Sequence, residues 1–388
     1  MHRGMFFSVF GIAVLSFFLA SGLSFAREAT DFSDLPSTLK VPAKKWRLAY
    51  YEGGDSSNYM NYLEATVQGL KTLGWVSYPE IPPLTDSASL WQWLAKNVSS
   101  DYLEFVTDAF YTGAWEENKR EATQAAVLQR LNREGDIDFI FAMGTWAGQD
   151  LANNLHHVPT FVLSTSDPLG SGIIKSVTDS GYDHVFARVS PQRYERQLRL
   201  FHEIIGFKRL GVAFEDTEDG RAYTAMDGIE RLAEEQQFEI VPCHTLSDVP
   251  DNQLAIESVI SCMEQLVLKV DAIYITQQGG VNNESIAKIV DIANAHNIPT
   301  FSQLGADEVK YGVLMSMSRS DFHSVGQFLA SSMGKVLNGA SPRKLKQLFE
   351  DEMNISLNLK TAERIGIYLR ADWLAAVDKI YPEIEVPE

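Results

Sequence analysis

The side chains best suited to engage a small molecule gather at two matching points of the chain. Asp138 to Asp150 reads DFIFAMGTWAGQD and Asp271 to Glu284 reads DAIYITQQGGVNNE. Each stretch starts with an acid, runs through an apolar strand, reaches a polar tip bearing glycine, and passes into a helical pattern. Helix N-termini at such tips offer unpaired N–H groups to an anion, and in open α/β sheets ligands collect at the carboxyl ends of strands. In the first stretch, Gly144 permits a tight turn and Thr145 can cap the helix, while Trp146 supplies an indole suited to stacking on a planar ligand. In the second, Gln277 and Gln278 can each donate and accept, which suits an uncharged polar group or the main-chain end of an amino acid. One of the two is expected to point away.

Other strand tips add candidates. Ser164, Thr165, Ser166 and Asp167 follow the apolar strand Thr160 to Leu163 and serve either a ligand or a turn closed by Pro168. Glu52, in Tyr51-Glu52-Gly53-Gly54-Asp55, is either a solvated acid or the partner of an ammonium group. Glu215 and Asp216 follow Leu210 to Phe214, and Gly305 sits in the tip after Thr300 to Ser302.

Familiar catalytic spacings are missing. The chain has no G-x-S-x-G elbow, no G-x-x-x-x-G-K-[ST] loop and no H-E-x-x-H. Gly170-Ser171-Gly172 lacks the third spaced glycine of a dinucleotide fingerprint, and no zinc or Cys-x-x-Cys spacing occurs. His156-His157 reads as a solvated pair between a helix and a strand. No cofactor or metal is expected. Carboxylates that meet only in space leave no local spacing, so an exported hydrolase using a pair such as Glu215 and Glu52 stays open.

These tips need a frame of alternating strands and helices. Strand patterns at 46–51, near 102–107, at 137–142 and at 159–164 alternate with helices at 58–73, 117–133 and 146–155. A second set has helices at 191–205, 221–236, 253–268 and 283–296, with strands at 208–214, 238–244, 271–276 and 298–302. After it come a strand-like Gly312 to Met317, a helix at 321–338, a strand at 352–359 and a helix-like Ala371 to Ile380. This is an α/β chain with mostly parallel sheets. The expected division is a first lobe over 27–183 with a return segment near 318–340, and a second over 184–317 with the C-terminal segment 341–388. Several crossings between lobes would form a hinge. The Trp- and Pro-bearing stretch 78–100 is either a lid or an extra helix at 87–96 packed on the first lobe.

Composition sets the outer bounds. Arg3, the apolar run from Phe6 to Ala20 and Ser24-Phe25-Ala26 form an export leader over residues 1–26, which implies periplasmic delivery after cleavage. The remaining 362 residues (388 minus 26) suffice for two domains, and loss of Arg3 moves the formal charge from −18 to −19. With no basic cluster to offset that charge, nucleic-acid binding is excluded. Cys243 and Cys262 are placed either to pair or to lie as two separate buried thiols.

The order of these pieces resembles the periplasmic substrate-binding proteins of ABC importers, in the group related to tryptophan- and tyrosine-binding components. The resemblance rests on GTWAGQDLANN, VPTFVLSTSDPLGSGII, RYERQLRLFHEIIGFKRLGVAFEDTED, DAIYITQQGGV, IPTFSQLGADEVKYGVLMSM and ISLNLKTAERIGI, and spans roughly Trp46 to Ile380 apart from 78–100. It implies two Rossmann-like lobes of the periplasmic binding protein type I fold, joined by a multi-strand hinge. It also implies a solute held by Thr145, Thr165, Asp167, Glu215, Asp216, Gln277, Gln278 and Gly305. Gln277 stands where the family's ammonium-holding aspartate is expected. The implied partners are a small polar or aromatic solute and the membrane subunits of an ABC permease, with the protein itself a monomer. The alternative to import is a ligand-sensing partner of a membrane receptor.

Overall fold

The computed structural model describes residues 44–387 except 134, 320 and 351, so the leader expected over 1–26 lies outside the described residues. A parallel sheet is apolar on both faces and must be covered on both, which here yields two doubly wound lobes. The first contains β1 (Trp46–Glu52), α1 (Ser57–Thr72), α2 (Ser87–Asn97), β2 (Leu103–Thr112), α3 (Glu117–Arg133), β3 (Phe139–Met143), α4 (Gly144–Leu151), β4 (Thr160–Leu163) and β5 (Val185–Ala187). Its strands run parallel in the order β2-β1-β3-β4-β5. The apolar stripes of α1 and α2 cover one face, and those of α3 and α4 the other.

The second lobe opens with α5 (Arg193–Ile205), β6 (Arg209–Phe214), α6 (Glu218–Thr224), α7 (Met226–Gln236), β7 (Glu239–His244), α8 (Asn252–Leu266), β8 (Ala272–Ile275), α9 (Ile286–Ala295), β9 (Thr300–Ser302), α10 (Ala306–Lys310) and β10 (Met315–Arg319). Then α11 (His323–Leu337) packs on α1 of the first lobe. The chain finally returns to the second sheet as β11 (Met353–Asn358), α12 (Leu359–Ile365), α13 (Ala371–Ala375) and β12 (Lys379–Tyr381). The second sheet runs β12-β11-β10-β9-β8-β6-β7, parallel except for the antiparallel β10–β11 pair. The order β7-β6-β8-β9-β10 repeats β2-β1-β3-β4-β5, and the described chain passes between lobes three times.

The repeated acid has a positional reason. Asp138, just before β3, accepts from the backbone N–H of Arg47 at 3.0 Å and from its guanidinium at 2.7 Å. Asp271, just before β8, accepts from the backbone N–H groups of Lys208 and Arg209 at 3.1 and 2.9 Å. Each acid thus ties the start of its strand to the start of the neighbouring central strand and sets the register of its lobe.

Several elements depart from the pattern reading. The helix expected over 221–236 is two, broken at Ala225, whose φ of +59° is left-handed. The break frees the carbonyls of Tyr223 and Thr224, and the buried Gln303 amide donates to both at 3.2 and 3.1 Å. The helix expected over 371–380 ends at Ala375, because Lys379–Tyr381 pairs in parallel with β11. Val185–Ala187, expected beyond the boundary at 183, extends the first sheet.

The stretch 78–100 contributes α2, with Trp91 fully buried. Between Leu48 and Tyr50 the β1–β2 register slips, and the indole of Trp91 and the amide of Gln92 donate to the carbonyls of Val106 and Thr107 in that bulge, both at 2.9 Å. Cys243 at the end of β7 and Cys262 on α8 form a disulfide with Cα atoms 5.7 Å apart.

Candidate functional site

Because β1 to β5 and β6 to β10 run parallel within their sheets, their carboxyl ends face one cleft, and its first-lobe wall is aromatic. Gly144 opens α4 with φ +79°, and a Cβ there would overlap the Tyr59 hydroxyl, so glycine is what admits Tyr59 to the wall. The cap before α4 is Met143, which has no acceptor, and Thr145 lies inside the first turn rather than capping it as expected. Trp146 follows, only 5% exposed, with the Trp115 ring edge-on at 5.5 Å. Its indole Nε1 is buried and finds no partner among the described residues.

Trp115 sits in a strained loop. Ala114 and Trp115 are consecutive left-handed residues, with φ of +52° and +56°, a conformation costing about 1–3 kcal/mol per non-glycine residue. The loop is held by a Trp115 N–H bond to the Gly53 carbonyl at 2.9 Å and an indole bond to the Asp55 carbonyl at 3.2 Å. The Trp115 ring lies where any side chain at Gly54 would project. Behind this wall, the Arg120 guanidinium stacks 4.7 Å from the Trp146 ring centroid and pairs with Asp150 at 3.0 Å.

The second-lobe wall is built of amides and acids. The Gln277 backbone N–H donates to Gln303 Oε1 at 2.6 Å, fixing the tip of β8 against that of β9. Gln278 turns inward: its amide donates to the Ala213 carbonyl at 2.8 Å and it accepts from the Thr245 hydroxyl at 2.5 Å. Asp248, in the loop between β7 and α8, accepts from the Ser247 hydroxyl at 3.1 Å, while its own N–H donates to Glu215 Oε2 at 3.3 Å. The Tyr223 hydroxyl donates to the same Glu215 oxygen at 3.3 Å. Burial, and next the charge of Glu215, push the Asp248 carboxyl up to about 7.

Between the walls lie two cavities that share Asn58, Ser164, Ser166, Asn252, Gln277, Val281, Asn282 and Leu304. One, of about 400 Å³, is enclosed by Tyr59, Trp115, Trp146, Tyr223 and Asp248. The other, of about 700 Å³, lies beside the crossing segments and is lined by Arg188, Arg193 and Arg319. The lobes also touch directly: the Gln149 amide donates to Asp219 Oδ1 at 2.8 Å, and Arg120 Nη1 lies 3.5 Å from Asp219 Oδ2.

The residues singled out by sequence divide accordingly. Thr145, Trp146, Ser166, Gln277 and Gln278 line the smaller cavity; Thr165, Ser166, Gln277 and Gly305 line the larger. Asp167 instead closes its own turn, accepting from the N–H groups of Leu169 and Gly170 at 3.1 and 2.8 Å. Asp216 is exposed, with His244 3.9 Å away. Glu215 stands behind Asp248 and Tyr223. Glu52 is no solvated loop acid: it is 2% exposed, accepts from Tyr50 at 2.8 Å, and burial raises its carboxyl to about 8. Neither Glu52 nor Glu215 lines the two cavities.

His156 also departs from the expected solvated pair. It is fully buried, packs 4.4 Å from the His184 ring, and bonds the Leu151 carbonyl at 3.0 Å, while His157 is exposed. Sequence reading missed Tyr59, Trp115, Tyr223, Asp248 and Asn252. Gly113-Ala114-Trp115 carries the same glycine-then-tryptophan tip as Gly144-Thr145-Trp146, but it was hidden because the strand pattern stopped near 107, whereas β2 runs to Thr112.

Two doubly wound lobes with an interlobe cleft at their carboxyl ends define the type I fold of periplasmic binding proteins. The chain belongs to the ABC transporter substrate binding protein family, which matches residues 111–380. Among solved structures it is similar to a conserved domain protein from Vibrio cholerae O1 biovar El Tor, at 19% identity and TM-score 0.63, over 87% of this chain and 100% of that one. An ABC domain from Streptococcus pneumoniae in complex with L-Trp matches at 18% identity and TM-score 0.63, with the same coverage. A ligand-free, open substrate-binding protein with adhesive properties from Clostridium difficile matches at 17% identity and TM-score 0.57, again over 87% and 100% of the two chains. No curated protein matches the chain. The family is one of substrate-binding proteins. Among the described residues no helix is long and apolar enough to cross a membrane.

Proposed function

We propose that this chain is the periplasmic solute-binding component of an ABC importer, taking a small polar or aromatic solute between its lobes and delivering it to a permease as a monomer. The observation that carries this reading is the aromatic cavity of about 400 Å³, whose walls come from the strand tips of both lobes. Contacts made by both walls exist only when the lobes are closed, so a bound solute shifts the open and closed populations without covalent chemistry. An export leader over residues 1–26 and the Cys243–Cys262 disulfide suit an oxidising compartment outside the cytoplasm.

Native mass spectrometry of protein purified without refolding tests the reading by weighing any solute that co-purifies. After unfolding and refolding to strip it, readdition at about 100 times the dissociation constant stabilises the fold by about 2.7 kcal/mol. The titrated panel comprises amino acids with L-tryptophan included, aromatic amines, nucleosides and sugars. If nothing co-purifies and no member raises the melting temperature, the proposal fails.

A further inference from the structure

We infer that the aromatic cavity is built for the cationic end of an organic amine, with Asp248 as its counter-ion; the inference rests on the solute-binding reading and specifies the chemistry of that site. Four aromatic side chains, Tyr59, Trp115, Trp146 and Tyr223, face this cavity, and no Lys, Arg or His does so among the described residues. Two carboxylates line it, Asp55, which accepts from the Ser87 backbone N–H at 3.3 Å, and Asp248, and none of the described basic side chains forms an ion pair with Asp248.

The charges packed around Asp248 are unbalanced. Glu215 receives its backbone N–H at 3.3 Å, and Asp219 adds a second negative charge through space. Arg120 acts on Asp248 as a cation more weakly than Asp219 does as an anion, and its guanidinium is already engaged by Asp150 at 3.0 Å and Asp219 at 3.5 Å. Tyr59 and Tyr223, the titratable groups facing Asp248 from α1 and α6, are both raised chiefly by burial and remain neutral. One arginine therefore stands against Asp150, Asp219, Glu215 and Asp248.

A guest cation corrects that imbalance. Aromatic faces attract cations through the ring quadrupole, most strongly at desolvated sites, and the carboxylate supplies the opposite charge. The indole N–H of Trp146 is buried and does not open to the cavity, so this side chain contributes its ring and not a hydrogen bond. The solute thus carries an ammonium group that the aromatic faces and Asp248 can hold. Gln277, where the family's ammonium-holding aspartate is expected, lines both cavities with a neutral amide, and Asp248 of a different loop provides the charge.

The test uses matched pairs titrated by calorimetry into the stripped full-length protein: tryptamine with N-acetyltryptamine, L-tryptophanamide with N-acetyl-L-tryptophanamide, and choline with its neutral isostere 3,3-dimethylbutanol. At least one amine is expected to bind about thirtyfold or more tightly than its uncharged partner, and Asp248→Asn to erase that difference. In the wild type, amine affinity is expected to rise with pH through about 7, as Asp248 ionises, and then level off, while the uncharged partner stays flat. This wild-type profile keeps the test decisive if the variant fails to fold. Amines that never outbind their partners, a preference that survives Asp248→Asn, or a flat wild-type profile overturns the inference. If sugars, nucleosides or other uncharged solutes bind while every amine fails, the inference falls and the solute-binding reading stands. If nothing binds at all, both fall.

Discussion

Replacing Asp219 with alanine should loosen the closed arrangement of the lobes without unfolding either one. Asp219 is the second-lobe partner of two first-lobe side chains, accepting from the Gln149 amide at 2.8 Å and lying 3.5 Å from Arg120 Nη1. The longer contact adds little, because Arg120 keeps Asp150 at 3.0 Å whether the lobes meet or not. The shorter one is a hydrogen bond to a charged acceptor with 19% of its side chain exposed, which places its net contribution at about 1–2 kcal/mol. Nothing is left stranded by the substitution, since Gln149 retains Arg120 at 2.8 Å and the Ser171 carbonyl at 3.3 Å. Both contacts form only across the cleft, so their loss acts on closure. The apparent dissociation constant of a solute that requires the closed state should rise about 5- to 30-fold. Small-angle scattering of the free variant should show a larger radius of gyration, and stopped-flow should place most of the affinity loss in the dissociation rate. Calorimetry at pH 8.5 keeps Asp248 ionised in both proteins, so its protonation does not contribute. Unchanged scattering together with unchanged dissociation would refute the latch. So would a fall in melting temperature as large as that of a core truncation, which would mark Asp219 as a folding residue.

Other consequences are as concrete. Converting Cys243 and Cys262 together to serine removes the cross-link over 19 residues and should cost about 3 kcal/mol in urea denaturation under oxidising conditions; a variant as stable as the parent would contradict this. Gly144→Ala places a methyl group against the Tyr59 hydroxyl at φ +79° and should cost about 2–4 kcal/mol, with altered near-ultraviolet dichroism from the tryptophans of the wall. Glu52 has its carboxyl raised to about 8, so its protonated form is favoured on folding. The stability it contributes is fully present below about 4.5 and is lost as pH rises through about 8. At about 1.4 kcal/mol per unit this is on the order of 5 kcal/mol, and Glu52→Gln should flatten the slope between pH 5 and 8. An identical slope in wild type and variant would assign the titration elsewhere.

The fold was legible wherever periodicity and burial agree. Phe139–Met143 is apolar throughout because both faces of β3 are covered, and it reads as a strand from composition alone. Boundaries set by long-range partners were not legible. The break at Ala225 depends on Gln303, 78 positions away, taking two carbonyls, and β12 depends on β11 offering an edge. Within the site, Trp146 and Gln277 could be placed because a strand tip has a sequence signature. Tyr59 lies on the face of α1, where a helical pattern reads an aromatic residue as core, and only the approach of Gly144 reveals that it forms a wall. Glu52 went the other way: an acid at a strand tip reads as exposed, yet Tyr50 and the surrounding side chains bury it.

The two matching stretches separate scaffold from chemistry. Their repeated part, the leading acid, does the same work twice: Asp138 and Asp271 each capture backbone N–H groups of the adjacent central strand. Any lobe of this strand order needs that tie, so the two lobes keep the same residue. The tips face each other across the cleft, where identical chemistry would serve only a symmetric guest. One tip is an indole with an unused N–H, backed by an arginine already committed to acids. The other is an amide whose inward neighbour, Gln278, is spent on the Ala213 carbonyl, leaving the negative charge on this wall to Asp248 in the next loop. An aromatic face opposite a carboxylate, in a cavity that no basic side chain enters among the described residues, selects for a guest that is flat or apolar on one side and cationic on the other. Divergence of the tips on a repeated frame is what makes the cleft selective, and exchanging Asp248 for asparagine tests that selectivity while leaving the frame intact.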